Sequence, residues 1–304
     1  MKYGILFLAV ITSQIGMGQI TLSLDTPSRG TPRIFAKNVI STRLNERDIT
    51  FSPDEEEIYY TGFSGSIFFI QKQEDGTWSL PEVASFSKGR RDIEPAFSPD
   101  GKRIYFSRLN GSDNDIFYAE RQEDGSWSGA RDVGEAINTD ANEFYPSVAN
   151  DGSLYYTAIY GAGIGGEDIW YASFQEGTFS NPTVVTGVST SADEFNAFVD
   201  PDEEFMYFGS FGREGAPGGG DIYLSRRNQD GSWNDGALVN RLNTSSLDYS
   251  PTVSPSGNFI FFTSTREPDQ EDIETSTNVF DLEAVLNRLL EPTRSGSDIY
   301  WIGE

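Results

Sequence analysis

Residues 97–106 read FSPDGKRIYF, a pattern that returns along the whole chain. An apolar strand runs into a Ser-Pro-Asp-Gly turn, and an aromatic-rich strand follows the turn directly. Proline fixes φ for the turn, and Asp and Gly tolerate the remaining dihedral angles, so the stretch predicts a β-hairpin. Equivalent stretches lie at residues 49–60, 146–156, 197–208 and 251–262.

Each hairpin belongs to a longer repeat. A third strand and a polar turn with an aromatic residue follow it, and a fourth strand ends in a short apolar-Ser/Asn-Thr motif. The third strands are predicted at 67–69, 115–118, 168–171, 221–224 and 298–301, and the polar turns at 75–78, 124–127, 176–179 and 230–233. Four short strands in a unit of about 50 residues are typical of the blade of a β-propeller.

The fifth repeat ends after its third strand, at Trp301. The missing strand is predicted in residues 33–45, where Thr42 precedes Glu46 by four residues, the same spacing as Thr139 and Glu143. We therefore expect an all-β fold, a five-bladed β-propeller of four-stranded blades whose last blade is closed by the N-terminal strand. A six-bladed ring is an alternative, and an open sandwich leaves the matched spacing unexplained.

The first 18 residues resemble a signal peptide. Lys2 is followed by the apolar run 5–11, and Gly16 and Gly18 form a small-x-small cleavage motif. No later apolar run approaches the length of a membrane span, and no Cys is available for a lipid anchor. We therefore expect export to the periplasm or the extracellular space, without membrane insertion.

The mature chain is predicted to begin with a linker, residues 19–32, followed by the propeller, residues 33–304. Residues 266–296 interrupt the last repeat as an insertion between its second and third strands. Apolar residues at helical spacing predict one short helix there, whose apolar stripe either packs on the propeller or serves as a docking surface. The stripe comprises Val279, Leu282, Val285, Leu286, Leu289 and Leu290.

Composition excludes several classes of site. The chain has no His and no Cys, so Ser–His–Asp triads, Cys–His pairs, zinc sites with His or Cys ligands and disulfides are impossible. Lys and Arg total 22 against 47 Asp and Glu, a net charge of −25. Such a chain repels phosphate backbones and anionic lipids, so nucleic acid is not an expected partner.

The Ser-Pro-Asp-Gly turn and the apolar-Tyr-Phe strand of residues 97–106 resemble the WD40-like repeat called PD40, which is found in TolB-like propellers. The resemblance covers nearly the whole mature chain. It implies an envelope protein that binds proteins or glycans. The sequence departs from the TolB-like pattern because that family has six blades behind a separate N-terminal domain, and neither is expected here.

Two faces are predicted for the propeller. The Pro–Asp face carries the Pro-Asp turns and the polar aromatic turns, which we interpret as scaffold. The linker face carries the strand-two-to-three loops and the links between blades. Its loops are irregular at 109–114, 161–167 and 213–220, and variable loops on a rigid scaffold are typical binding elements.

An acidic residue precedes every predicted inner strand. These five acids form a ring that could bind Ca²⁺ or another cation, or accept hydrogen bonds from sugar hydroxyls. The favoured alternative is structural, because a role in accepting backbone N–H bonds explains why all five repeats share the feature. No other cofactor is predicted. The acids are Glu46, Asp92, Glu143, Glu194 and Asp248.

Two residues after each of these acids, the residue type differs from repeat to repeat. A specific binding site in a symmetric propeller requires such differences between equivalent positions. We therefore predict binding at Asp48, Glu94, Tyr145, Asn196 and Ser250.

The favoured function is a non-catalytic scaffold that binds a protein or glycan in the cell envelope. The alternative is a glycoside hydrolase that uses Asp48 and Glu94 in the central funnel, since that chemistry needs two carboxyl groups in unlike environments. A module that docks on a larger secretion or cell-wall assembly is a third hypothesis. The oligomeric state is not predicted.

Overall fold

The computed structural model describes residues 19–20, 30–37, 39–42, 44–63, 65–267 and 297–303. Strands, turns and bends make up these ranges, and none of the described residues is helical. Five antiparallel four-stranded sheets form the blades of a propeller, so the predicted all-β, five-bladed fold is confirmed. The leader and the predicted helix in 266–296 lie outside the described residues, apart from positions 266 and 267.

The blades follow one another along the chain. Blade one contains β3 (Arg47–Phe51), β4 (Glu57–Gly62), β5 (Ser66–Gln71) and β7 (Glu82–Val83). Blade two contains β8 (Asp92–Phe97), β9 (Arg103–Asn110), β10 (Asp113–Glu120) and β11 (Arg131–Asp132). Blade three contains β12 (Glu143–Val148), β13 (Leu154–Ala158), β14 (Asp168–Ala172) and β17 (Thr183–Val184).

Blade four contains β18 (Asp193–Val199), β19 (Phe205–Phe211), β20 (Asp221–Arg226) and β21 (Ala237–Leu238). Blade five contains β22 (Asp248–Val253), β23 (Phe259–Ser264), β24 (Asp298–Gly303) and β2 (Arg33–Ile34). Two short pairs lie outside the blades: β1 (Gln19–Ile20) with β6 (Trp78–Ser79), and β15 (Phe174–Gln175) with β16 (Thr178–Phe179).

The N-terminal segment closes the ring. Strand β2 pairs antiparallel with β24, with Arg33 opposite Trp301 and Ile34 opposite Tyr300. Phe35 follows and is 1% exposed; its ring centroid lies 5.0 Å from that of Phe261 and 5.2 Å from that of Trp301. The edge of the last blade is therefore covered by the chain's own beginning.

The hydrophobic core is divided among the blade interfaces. Each of the five core clusters combines side chains from two neighbouring blades, as in the cluster of Ile49 and Ile58 from blade one with Phe261 from blade five. The polar turns add to this packing, since Trp127 of blade two donates its indole N–H to the Tyr59 hydroxyl of blade one at 2.8 Å. Each blade is therefore stabilised mainly through its neighbours. No helix in the described part of the chain is long and apolar enough to cross a membrane.

The closure can be tested by truncating its central side chain. Phe35→Ala removes a buried aromatic ring from the interface of blades five and one, so the free energy of unfolding should fall by about 3–5 kcal/mol in urea denaturation. Leu44→Ala, in the same segment but 37% exposed, is the matched control and should cost less than about 1 kcal/mol. Equal effects of the two substitutions would contradict closure by this segment.

Candidate functional site

Each inner strand contains a β-bulge at the same place. In blade one the register passes from Arg47 opposite Thr61 to Ile49 opposite Tyr60, which leaves Asp48 as the extra residue. The other four inner strands shift equivalently. The bulged residues have φ between 50° and 62°, the left-handed region that glycine usually occupies. They are Asp48, Glu94, Tyr145, Asn196 and Ser250, the five divergent positions of the repeat.

The bulged residues meet at the propeller axis, and we call them the central layer. Ser250 Oγ donates to Asp48 Oδ1 at 2.6 Å, and Asn196 Nδ2 donates to Ser250 Oγ at 2.6 Å. The Tyr145 backbone N–H donates to Glu94 Oε2 at 2.9 Å, and the Tyr145 hydroxyl donates across the axis to the Pro251 carbonyl at 3.1 Å. All five residues are buried, so the central layer fills the axis of the propeller.

Hydroxyl groups from the second strands hold the bulges in place. Thr61 Oγ1 of blade one accepts the Glu94 N–H of blade two at 2.8 Å, and Thr157 Oγ1 accepts the Asn196 N–H at 2.9 Å. Thr263 of blade five does the same for Asp48 of blade one. Each of these bonds satisfies a backbone donor that the bulge removes from the strand ladder, and each joins two blades.

One cation serves both carboxylates of the central layer. Arg47 Nε donates to Asp48 Oδ2 at 2.6 Å, and an Arg47 terminal nitrogen donates to Glu94 Oε1 at 2.8 Å. The Arg47 side chain is 29% exposed, whereas the two carboxylates are 1% and 3% exposed. Ser107 Oγ donates to the second oxygen of Glu94 at 2.6 Å. Both oxygens of each carboxylate are therefore occupied by protein donors.

Burial raises the pKa of Glu94 to about 7. The Arg47 guanidinium opposes this shift, and the neighbouring Asp48 carboxylate adds to it. Burial likewise raises the pKa of the Tyr145 hydroxyl well above its ordinary value, so this hydroxyl stays a hydrogen-bond donor at neutral pH.

A cavity of about 550 Å³ opens beside the central layer, on the Pro–Asp face. Glu94 and Tyr145 line its inner end, and the second halves of the inner strands form its walls. Prolines of the repeated turns, among them Pro53, Pro99, Pro201 and Pro255, line its outer part, and half-buried aromatic rings add to the apolar lining: Phe51, Phe97, Phe198 and Phe205.

This cavity was not predicted from the sequence. The irregular loops favoured a site on the linker face, whereas the cavity is lined by residues that the repeats share. The periodic apolar residues before each Pro-Asp turn were interpreted as strand and scaffold. Their convergence on one axis was the available signal, because the second half of every inner strand must face the centre of the ring.

The acid that precedes each inner strand acts within the link between two blades. Glu46 accepts the Thr42 N–H at 2.9 Å and the Thr42 hydroxyl at 2.5 Å. Glu143, Glu194 and Asp248 bind Thr139, Thr190 and Thr244 in the same way.

Asp92 differs because the residue four positions earlier is Lys88; it binds Arg108 through two hydrogen bonds instead, at 2.6 and 2.9 Å. Arg213 and Arg266 pair with Glu194 and Asp248 at 2.9 and 2.6 Å. Within the described ranges, no group of three or more acidic side chains is arranged to hold a metal ion. Ca²⁺ binding by the acidic ring stays a prediction.

The raised pKa of Glu94 predicts a pH dependence of stability. Because the folded state holds this proton more tightly than an ordinary Glu of pKa 4.5, the free energy of unfolding should fall as pH rises from about 4.5 to about 7, and then level off. Glu94→Gln should make this fall smaller in denaturant titrations at pH 5 and 7.5. Asp298, whose pKa burial also raises to about 7, accounts for part of the remaining slope.

Glu204→Gln makes the same chemical change at an exposed position and should keep the wild-type slope. A Glu94→Gln protein with the full wild-type slope would show that another group takes up the proton.

Comparisons with known proteins show the fold. No protein-family model and no curated protein matches the sequence. TolB from Acinetobacter baumannii is 20% identical over 72% of this chain and 49% of its own, with a TM-score of 0.49, so this chain spans about half of that protein. The candidate TolB from Agrobacterium tumefaciens is 18% identical over 86% of this chain and 91% of its own, with a TM-score of 0.52.

A structure described as a glycoside hydrolase is 11% identical over 90% of this chain and 91% of its own, with a TM-score of 0.53. Likenesses at these identities concern architecture alone. This chain has a TolB-like β-propeller fold.

Proposed function

We propose that this chain is an exported, non-catalytic β-propeller scaffold that binds a protein or glycan partner in the cell envelope, through the cavity on the Pro–Asp face. The observation that carries the proposal is the cavity of about 550 Å³ at the propeller axis. Its volume lies within the range of about 300–1,000 Å³ typical of ligand pockets, and its apolar walls end at a few polar groups.

The charge around the mouth of the cavity indicates which kind of partner it would attract. Exposed carboxylates stand in four of the five repeated turns, three of them directly after a proline that lines the cavity, and the chain carries a net charge of −25. A partner that offers apolar groups to the walls and positive charge to the mouth would be attracted over a distance. The turn carboxylates are Asp54, Asp100, Asp151 and Asp202.

The central layer supports a non-catalytic role. Hydrolysis of a glycosidic bond requires one carboxyl group as acid and a second as base or nucleophile, both facing the substrate. Glu94 and Asp200 are the carboxyl residues among those that line the cavity. Asp200 accepts the backbone N–H groups of Asp202 and Glu204 in its own turn, at 3.2 and 3.3 Å, and Glu94 is bonded through both oxygens.

The leader-like residues 1–18 support export to the envelope as part of the proposal. The alternative function is a glycoside hydrolase that uses Glu94 as its acid. It is favoured by the position of Glu94, which lines the cavity and is buried, since burial raises the pKa of this carboxyl group to about 7, a value that suits a general acid at neutral pH.

Filling the cavity should abolish binding. Ala96 lines the cavity and is half-buried, so Ala96→Trp should reduce capture of partners from envelope extract, or retention on a glycan panel, at least tenfold. Ala141→Trp is the matched control, since Ala141 is also half-buried but lies in a link between blades on the linker face. Retention of binding by Ala96→Trp, or its loss only in Ala141→Trp, would place the site elsewhere.

Catalysis can be measured directly with chromogenic glycosides, including furanosides. The wild-type protein should release chromophore no faster than buffer, and Glu94→Gln should behave identically. Turnover by the wild type that disappears in a folded Glu94→Gln protein would replace the scaffold function with the hydrolase.

A further inference from the structure

Exposed apolar side chains recur at one position of the repeat, where the second strand reaches the linker face. Phe63, Ile159 and Phe211 are 60%, 42% and 53% exposed there, and Leu109 is half-buried. The backbone confirms the equivalence, since the N–H groups of Leu109 and Ile159 bond to carbonyls in the preceding link, at 3.0 and 3.1 Å. We call Phe63, Leu109, Ile159 and Phe211 the apolar ring.

The apolar ring requires an explanation. Single exposed hydrophobic residues are normal on protein surfaces, but here the same position of the repeat is apolar in four blades, on one face of the ring. Leu44 and Ile164 lie on the same face, 37% and 48% exposed. Of the large hydrophobic residues exposed in the described ranges, Leu80 alone lies elsewhere, in the strand-three-to-four connection of blade one.

Blade five differs from the others at this position. Its equivalent residue is Thr265, whose N–H bonds to the Leu247 carbonyl at 3.0 Å. Of the insertion 266–296 that follows, the 29 residues 268–296 lie outside the described ranges. The chain returns on the same face, because the Ser297 N–H donates to Asn45 Oδ1 at 3.1 Å. Both ends of the insertion are therefore anchored on the linker face.

The sequence of the insertion complements this face. Its apolar stripe comprises Val279, Leu282, Val285, Leu286, Leu289 and Leu290. The stretch 267–274 before the stripe contains five acids in eight residues. The linker face carries the exposed cations Lys88, Arg90 and Arg91 in the link between blades one and two, and Arg91 lies against Gly65, two residues from Phe63.

We propose that residues 268–296 bind the linker face of their own propeller, with the stripe covering the apolar ring and the acidic stretch paired with Lys88, Arg90 and Arg91. The eleven residues 268–278 can span up to about 36 Å, which suffices to reach neighbouring blades. Tethering gives the segment an effective concentration in the millimolar range. A second copy is a poorer occupant because two chains of charge −25 repel each other.

The absence of Cys makes the test direct. Phe63→Cys, Ile159→Cys and Phe211→Cys would be made singly and treated with a fluorescent maleimide. Leu80→Cys, at a residue 50% exposed outside the linker face, is the matched control. In the intact chain, the ring positions should react at least tenfold more slowly than the control.

The same Cys variants would also be made in a second background that carries Leu282→Asp, Leu286→Asp and Leu289→Asp. In this background, the maleimide should react with the ring positions as fast as with the control, and the rate at the control should be unchanged. A third background carries Lys88→Glu, Arg90→Glu and Arg91→Glu, and it should also raise the rate at which the maleimide reacts with the ring positions. Circular dichroism verifies the fold of both backgrounds.

Three outcomes would overturn the proposal. Ring positions that react as fast as the control in the intact chain would show a free face. Slow reaction that persists in the folded Leu→Asp background would show another occupant. Slow reaction that is lost on dilution, with a dimer in light scattering, would assign the face to a second copy. These readouts are independent of binding at the Pro–Asp cavity.

Discussion

The structure depends on five left-handed residues at the axis of the propeller. A non-glycine residue in this conformation costs roughly 1–2 kcal/mol, so five of them at one level of the ring need compensation. The compensation is interblade hydrogen bonding: hydroxyl groups such as Thr61 and Thr157 accept the displaced N–H groups, and the bulged side chains bond to one another. The bulges thus join neighbouring blades at the point where their inner strands are closest.

This arrangement decides what the acidic residues at the axis can do. A carboxylate in a funnel suggests catalysis, yet Asp48 and Glu94 share the Arg47 guanidinium and are bonded through all four oxygens. Removing Arg47 would leave two buried carboxyl groups without their shared cation, which is costly. The central layer therefore closes the channel, and the cavity lies on its Pro–Asp side.

The sequence predicted the fold well because repetition carries the information. The turn between the first two strands returns five times and gave the number of blades, and the spacing from Thr42 to Glu46 identified the closing strand, later seen as β2 beside β24. That spacing reflects a contact, since Thr42 donates twice to Glu46. A motif that is defined by a hydrogen bond between residues close in sequence can be recognised from the sequence alone, because no distant residue is needed to form it.

The site was harder to predict because its geometry depends on distant residues. The five central positions were selected by divergence, but their bulges and mutual bonds cannot be deduced from one strand at a time. A local signal did exist: Pro95, Pro146 and Pro251 follow three of them, and proline inside a strand is typical of a bulge. The cavity was missed for the opposite reason, because its walls are among the most regular parts of the repeat.

The central layer also separates two faces of unlike chemistry. Acidic turns and prolines surround the cavity on one side, whereas apolar side chains and the cations Lys88, Arg90 and Arg91 lie on the other. One ion pair connects the two sides, because Arg47 is partly exposed and holds Glu94, which lines the cavity. A ligand that changed the protonation of Glu94 would alter the charge that Arg47 compensates.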